Sequence, residues 1–165
     1  MKIQHLTANY AGYHLWANQQ LVNWLSGQTD EALHQEVASS FPSILSTLNH
    51  IWAIDEYWAA TINQQSAFEN RYEVTEFKRD EIFEGLINRS VQFTADVKAF
   101  TEDELTRELK VVSPWLETTQ ARYEYILQMI NHGTYHRGQI VTIARNVGIT
   151  DVPNTDYVFF NAAKL

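Results

Sequence analysis

Hydrophobic residues recur every three or four positions along four long stretches of the chain, which is the spacing that places them on one face of a helix. The pattern predicts helices over about Ile3 to Ser26, Ser43 to Ile62, Glu76 to Phe100 and Gln120 to Val147. Gly27 and Gly148 follow the first and the last stretch, where a glycine is well suited to end a helix. Four helices of this length favour an all-α four-helix bundle.

The stretch from Leu109 to Thr118 departs from the helical spacing. Its residues favour extended backbone, with the pair Ser113-Pro114 as a turn at the middle, so we expect a small hairpin or an extended linker before the last helix. The tail from Asp151 to Phe160 is predicted to be irregular and to lie over the bundle. The length fits one domain over residues 1–165.

The last predicted helix is apolar on two faces, which indicates that both faces are buried. The second face needs another helix, the hairpin or a partner subunit to cover it. The first helix also carries Leu15 and Trp16 outside its main apolar stripe. Soluble monomers rarely expose a large apolar patch, and we therefore expect a two-fold homodimer.

Composition and charge narrow the classes of function. The formal net charge is −8, which argues against nucleic acid and anionic membrane surfaces as partners. The chain has 0 Cys, so disulfides, zinc–thiolate sites and a cysteine nucleophile are excluded, and any reacting thiol must come from the substrate. The first residues lack the apolar run of a signal peptide, and no stretch reaches the length of a membrane span. We expect a cytoplasmic protein.

Two histidines in the last predicted helix, His132 and His136, lie one helical turn apart. Side chains at i and i+4 leave the same face of a helix, so both imidazoles could bind one metal ion. His50 in the second predicted helix is available as a third ligand. The alternative is that these histidines are ordinary helix residues that form hydrogen bonds in the core or at its rim.

Three sets of residues, in order along the chain, resemble the DinB superfamily of small damage-inducible proteins, which is distinct from the polymerase of the same name. They are the string Trp16-Ala17-Asn18, His50 with Asp55 and Trp58, and the string from His132 to His136-Arg137-Gly138-Gln139. The resemblance implies a bundle of up-down-down-up order with a divalent metal ion, zinc or nickel, held by His50, His132 and His136. Relatives include metal-dependent proteins of unassigned substrate, often dimeric, and transferases and isomerases that use low-molecular-weight thiols. The family often has Glu where this chain has Asp55.

Two charged residues, Asp55 and Arg137, fall within apolar lines of their predicted helices. We predict that they form a buried structural pair; the alternative is that one of them orients a ligand imidazole or contacts substrate. Gly138 is predicted to allow close packing of its helix, because glycine is otherwise unfavourable there. Gln139 could support a ligand or lie on the surface, and His14, one turn before Asn18, is interpreted as an ordinary residue.

Three neutral imidazoles leave one or more positions open on a zinc- or nickel-like ion. An open position favours a metal-dependent hydrolase or a thiol-dependent transferase acting on a small-molecule substrate. No catalytic residue can be assigned; Asp55 and Tyr57 are the only nearby candidates for a general base. The alternatives are a non-catalytic metal- or ligand-binding dimer in a stress response, and a bundle that binds no metal.

Overall fold

The computed structural model describes residues 2–66, 70–113 and 116–163. Its four long helices are α1 (Ile3–Leu25), α3 (Ile44–Ile62), α4 (Arg79–Ala99) and α6 (Arg122–Asn146), and three short helices are α2 (Asp30–His34), α5 (Glu102–Thr106) and α7 (Tyr157–Ala162). The long helices begin and end within three residues of the predicted bounds, which confirms the predicted bundle. Within the described residues, none of the helices has the length and apolarity needed to cross a membrane.

Helices α1 and α4 are antiparallel neighbours. In the first half of α1, the backbone oxygen of Ala11 accepts a hydrogen bond from the Thr94 hydroxyl at 3.1 Å. Further along α1, the Asn18 amide donates to the hydroxyl of Ser90, an earlier residue of α4, at 3.0 Å. Later residues of α1 therefore contact earlier residues of α4, as expected for antiparallel helices.

Helices α3 and α4 are parallel neighbours, joined by a long connection. Glu56 of α3 lies 3.5 Å from the guanidinium of Arg89. Asn63, which caps the end of α3, donates to the carboxylate of Asp96 at 2.9 Å. Contacts advance along both helices together, so α4 runs in the same direction as α3.

Helix α6 is antiparallel to α3. Tyr125 near its start stacks on Trp58 near the end of α3, with ring centroids 5.4 Å apart. About two turns later in α6, the ring of His132 lies beside that of His50, earlier in α3. These directions confirm the up-down-down-up order, and the main contacts place α1 and α3 at opposite corners, each between α4 and α6.

The hydrophobic interior is divided into two apolar clusters by buried polar residues. One cluster includes Trp58, Phe93 and Tyr125, and the other includes Leu48 and Ile140. On each long helix, the change from one cluster to the other falls at a buried polar or charged residue; these are Asn18, Asp55, Ser90 and Arg137. This polar layer crosses the middle of the bundle.

Strands β1 (Glu108–Val112) and β2 (Glu117–Ala121) form an antiparallel hairpin before α6. Alternate residues of β1, Leu109 and Val111, are buried against the bundle, and the Tyr125 hydroxyl donates to the Leu109 carbonyl at 3.0 Å. The predicted extended stretch is therefore a hairpin that covers the start of α6. Pro114, on which the predicted turn depends, lies outside the described residues.

The tail is more regular than predicted. Residues 151–156 have no regular structure, but Tyr157–Ala162 form α7, and this part of the prediction is wrong. Phe160 of α7 packs on Trp16 and Tyr13 of α1, with ring centroids 5.7 and 5.9 Å apart. The tail thus covers part of the apolar surface that the sequence led us to assign to a partner subunit.

Candidate metal centre

Three histidines from α3 and α6 converge at the interface between these helices. The Nε2 atom of His132 lies 3.2 Å from Nε2 of His50 and 3.0 Å from Nε2 of His136. The three candidate ligand atoms all lie within 4.8 Å of one another. A tetrahedral zinc ion with bonds of about 2.0–2.1 Å holds its ligand atoms about 3.3 Å apart. The donor set and its spacing therefore fit a divalent metal ion.

The protonation states of the three histidines also suit a metal. Burial, together with the neighbouring His136, lowers the pKa of His50 to about 4. Burial, together with the surrounding histidines, lowers the pKa of His132 to about 3. Burial lowers the pKa of His136, and its hydrogen bond to Gln139 raises that pKa by a smaller amount. All three rings are neutral at pH 7, which leaves ring nitrogens free to bind a metal.

His136 has a hydrogen-bond partner on its outer side. Its Nδ1 lies 2.7 Å from the Oε1 atom of Gln139, one turn further along α6. A carbonyl oxygen only accepts, so His136 donates from Nδ1 and its Nε2 carries the lone pair that faces the other two rings. Gln139, whose role the sequence left open, supports a candidate ligand.

His50 is held by a residue that the sequence did not single out. Phe41, in the loop before α3, stacks on the His50 ring with centroids 3.9 Å apart, and its ring meets His136 edge-on at 5.6 Å. Ser43 begins α3 with a capping box, and this fixes the point at which the loop joins the helix. A phenylalanine in a predicted loop carries no signal that it will stack on a histidine nine residues later.

The predicted direct pair between Asp55 and Arg137 is wrong. Asp55 accepts a hydrogen bond from His14 Nε2 at 2.8 Å, and neither side chain is exposed to solvent. Arg137 donates to the Asn18 oxygen at 2.9 Å, and its Nη1 lies 3.4 Å from Nδ1 of His14. The imidazole of His14, which comes from α1, therefore lies between the two charged groups.

His14 was interpreted from the sequence as an ordinary residue. It is in fact fully buried at the centre of a polar network formed with Asn18, Asp55 and Arg137. The available signal was its spacing from Asn18, because residues at i and i+4 lie on one face of a helix. Asp55 bonds to His14 inside the bundle and is not exposed, so it is not available as a general base for a substrate at the histidine cluster.

Close packing against α6 occurs at Gly133 and not at Gly138, where we predicted it. A Cβ atom added to Gly133 would lie 2.7 Å from Cε1 of His14 and 3.0 Å from Nη1 of Arg137. Among the described residues, nothing would lie within 4 Å of a Cβ atom added to Gly138. His14 therefore lies directly on the backbone beside His132, and the polar network and the histidine cluster share this part of α6.

A cavity of about 980 Å³ lies between α1, α6, α7 and the hairpin. Its lining includes aromatic residues such as Tyr10, Trp58 and Tyr157, but none of the three histidines. The cavity is therefore separate from the candidate metal centre.

Comparisons with known proteins agree with this fold. The sequence model of the DinB family matches residues 2–164. Over 155 residues the chain is 35% identical to the protein DinB of Bacillus subtilis (strain 168), a match that covers 88% of this chain and 87% of that protein. The crystal structure of a DinB-like protein from Bacillus cereus ATCC 10987 is similar with a TM-score of 0.70 and 22% identity, over 87% of this chain and 91% of that one.

Proposed function

The chain belongs to the DinB family, and we propose that His50, His132 and His136 hold a divalent metal ion, zinc or nickel, at which a small molecule reacts. The observation that carries the proposal is the convergence of three Nε2 atoms, at 3.2 and 3.0 Å for the two closest pairs. Three protein ligands leave at least one coordination position for substrate. A divalent ion held there would supply Lewis-acid activation of water or of a small thiol.

The residues around the ion would bind it and hold the ligands in position. Burial keeps the three imidazoles neutral, Gln139 fixes the donor nitrogen of His136, and Phe41 covers one face of His50. The chain contains 0 Cys, so a sulfur nucleophile would have to be a low-molecular-weight thiol. These properties favour a metal-dependent hydrolase or a small-thiol transferase.

Cobalt provides a spectroscopic test of the site and of its reactivity. Cobalt added to metal-free protein is expected to give d–d absorption, and a small thiol such as 2-mercaptoethanol at millimolar concentration is expected to change those bands. His132→Ala should lose both signals. His34→Ala is the matched control, because His34 is an exposed histidine that bonds to the backbone oxygens of Asp30 and Phe77.

The outcomes distinguish the chemical alternatives. Bands that form but do not respond to thiol would argue against the transferase and leave hydrolysis as the enzyme hypothesis. If panels of esters, amides and lactones are also not hydrolysed, the alternative is favoured: a non-catalytic metal- or ligand-binding dimer in a stress response. One observation supports that alternative, because Asp55, a candidate general base, is enclosed in the polar network.

We also propose that two copies of the chain associate about a two-fold axis, in the cytoplasm. Helix α7 covers Trp16, but the described surface still exposes Tyr135 on α6, and Val158 and Phe159 on α7, to 63%, 66% and 51%. Burial of such residues favours association. Light scattering at micromolar concentration is expected to report a dimer, and the mass of a monomer would contradict this proposal.

A further inference from the structure

We propose that Gln139 is a positioning residue for the metal ligand His136, and that the hydroxyl of Tyr135 acts on the metal site only by holding Gln139. The inference rests on the proposed metal site and assigns roles to two residues outside the ligand set. Both residues lie on α6, within one turn of His136.

The three side chains form a continuous chain of hydrogen bonds. Nδ1 of His136 lies 2.7 Å from Oε1 of Gln139, and Nε2 of Gln139 lies 3.1 Å from the Tyr135 hydroxyl oxygen. The Tyr135 ring also meets the His136 ring edge-on, with centroids 4.9 Å apart. Tyr135 is 63% exposed, so no packing of the core requires its hydroxyl.

When His136 binds a metal, each group in this series of hydrogen bonds has one role, as a donor or as an acceptor. An imidazole that binds through Nε2 carries its hydrogen on Nδ1, and that hydrogen needs an acceptor. The Gln139 carbonyl is that acceptor, which leaves the Gln139 amide group to donate to Tyr135. If the amide were rotated by half a turn, its NH2 group would face Nδ1 and favour the tautomer that has no lone pair on Nε2.

Tyr135 contributes by restricting where the Gln139 side chain lies. A glutamine side chain on a helix surface has several rotamers, and only some of them place the amide oxygen against Nδ1 of His136. The hydrogen bond to Tyr135 fixes the far side of the amide. Removal of the Tyr135 hydroxyl should therefore weaken metal binding only when residue 139 can form a hydrogen bond to it.

Zinc affinity, measured by competition with a chromophoric chelator, tests the role of Gln139. Gln139→Leu removes the acceptor at similar size and is expected to weaken zinc binding by about 10- to 100-fold. Gln139→Glu keeps an acceptor and should bind zinc at least as tightly as the unchanged protein. The matched control is Gln128→Leu, the same substitution at an exposed position of α6 one turn before His132, and it should leave the affinity unchanged.

A double-mutant cycle tests the role of Tyr135. Tyr135→Phe keeps the ring against His136 and removes the hydroxyl, so zinc binding should weaken by about 2- to 10-fold. In a Gln139→Leu background the same change should have no further effect, because leucine cannot bond to a hydroxyl. Equal effects in both backgrounds would overturn the proposed route through Gln139.

A separate measurement needs no metal. Long-range nitrogen–hydrogen NMR spectra of the metal-free protein should show His136 mainly with its hydrogen on Nδ1, and Gln139→Leu should reduce that population. If the unchanged protein binds zinc and Gln139→Leu binds it equally well, the positioning role is wrong and the metal site stands. If the unchanged protein binds no zinc, it is the proposed function that fails.

Discussion

Replacement of Asp55 by alanine is expected to lower the free energy of unfolding by about 3–5 kcal/mol, as is typical when one partner of a buried charged network is removed. The substitution leaves the Nε2 hydrogen of His14 without its acceptor. It also removes a negative charge that favours the charged form of Arg137, a residue that is 2% exposed and whose pKa is already lowered by burial. Urea denaturation should show a lower transition midpoint with an unchanged slope.

Asp80→Ala is the control for this experiment. Asp80 also bonds to a basic side chain, that of Arg79 at 2.9 Å, but its own side chain is 87% exposed. Exposed ion pairs contribute little to stability, so this variant should unfold at almost the same urea concentration as the unchanged protein. If the two aspartates had equally small effects, the buried network would not be an important part of the stability of the bundle.

Zinc is expected to raise the melting temperature of the metal-free protein. A ligand that binds only the folded state stabilises it by about 2.7 kcal/mol when its free concentration is 100 times the dissociation constant. For a domain of this size, that corresponds to a rise of about 5–10 °C. His136→Ala removes one of three ligands and should lose most of the rise while the helical far-ultraviolet spectrum is retained.

A second histidine variant tests whether the rise in melting temperature depends on the candidate ligands. His34→Ala, an exposed change far along the chain from α6, should keep the full rise in melting temperature. A rise of equal size in the unchanged protein and in His136→Ala would mean that zinc acts elsewhere. Nickel should follow the same pattern, because imidazole ligands suit both ions.

Helix periodicity was sufficient to locate the long helices because it depends on neighbours three and four residues apart. The same local signal identified His132 and His136 as a pair on one face. The direction in which the helices run, and the choice of His50 as third ligand, came from the family resemblance. Spacing within one helix indicates which residues share a face, but it does not indicate which residues of another helix they meet.

The buried polar network is an example of contacts between helices that spacing within one helix does not predict. Asp55 and Arg137 were predicted to pair because each interrupts an apolar line, and both are indeed buried. Their partners are His14 and Asn18 of α1, 41 and 119 residues away in sequence. Because α1 and α3 occupy opposite corners of the bundle, the bond between His14 and Asp55 crosses its centre. No pattern within α3 or α6 carries that information.

The glycines illustrate the same point at smaller scale. The cost of glycine within a helix is a local property, and it led us to expect close packing at Gly138, whereas Gly133 of the same helix was not singled out. Only the position of the His14 ring shows that close packing occurs at Gly133. The structure gives no packing reason for Gly138. Helix α7 was missed because a stretch of six helical residues is too short for periodicity to establish.

All three candidate ligands belong to a single chain, two of them on α6 and the third on α3. A complete ligand set within one protomer means that metal loading does not require a second copy to supply a side chain. Metal stoichiometry would be one ion per polypeptide in a monomer and in a dimer alike. Substitution of Val158 or Phe159, which are exposed on α7, would therefore vary assembly without removing a candidate ligand or a residue that positions one.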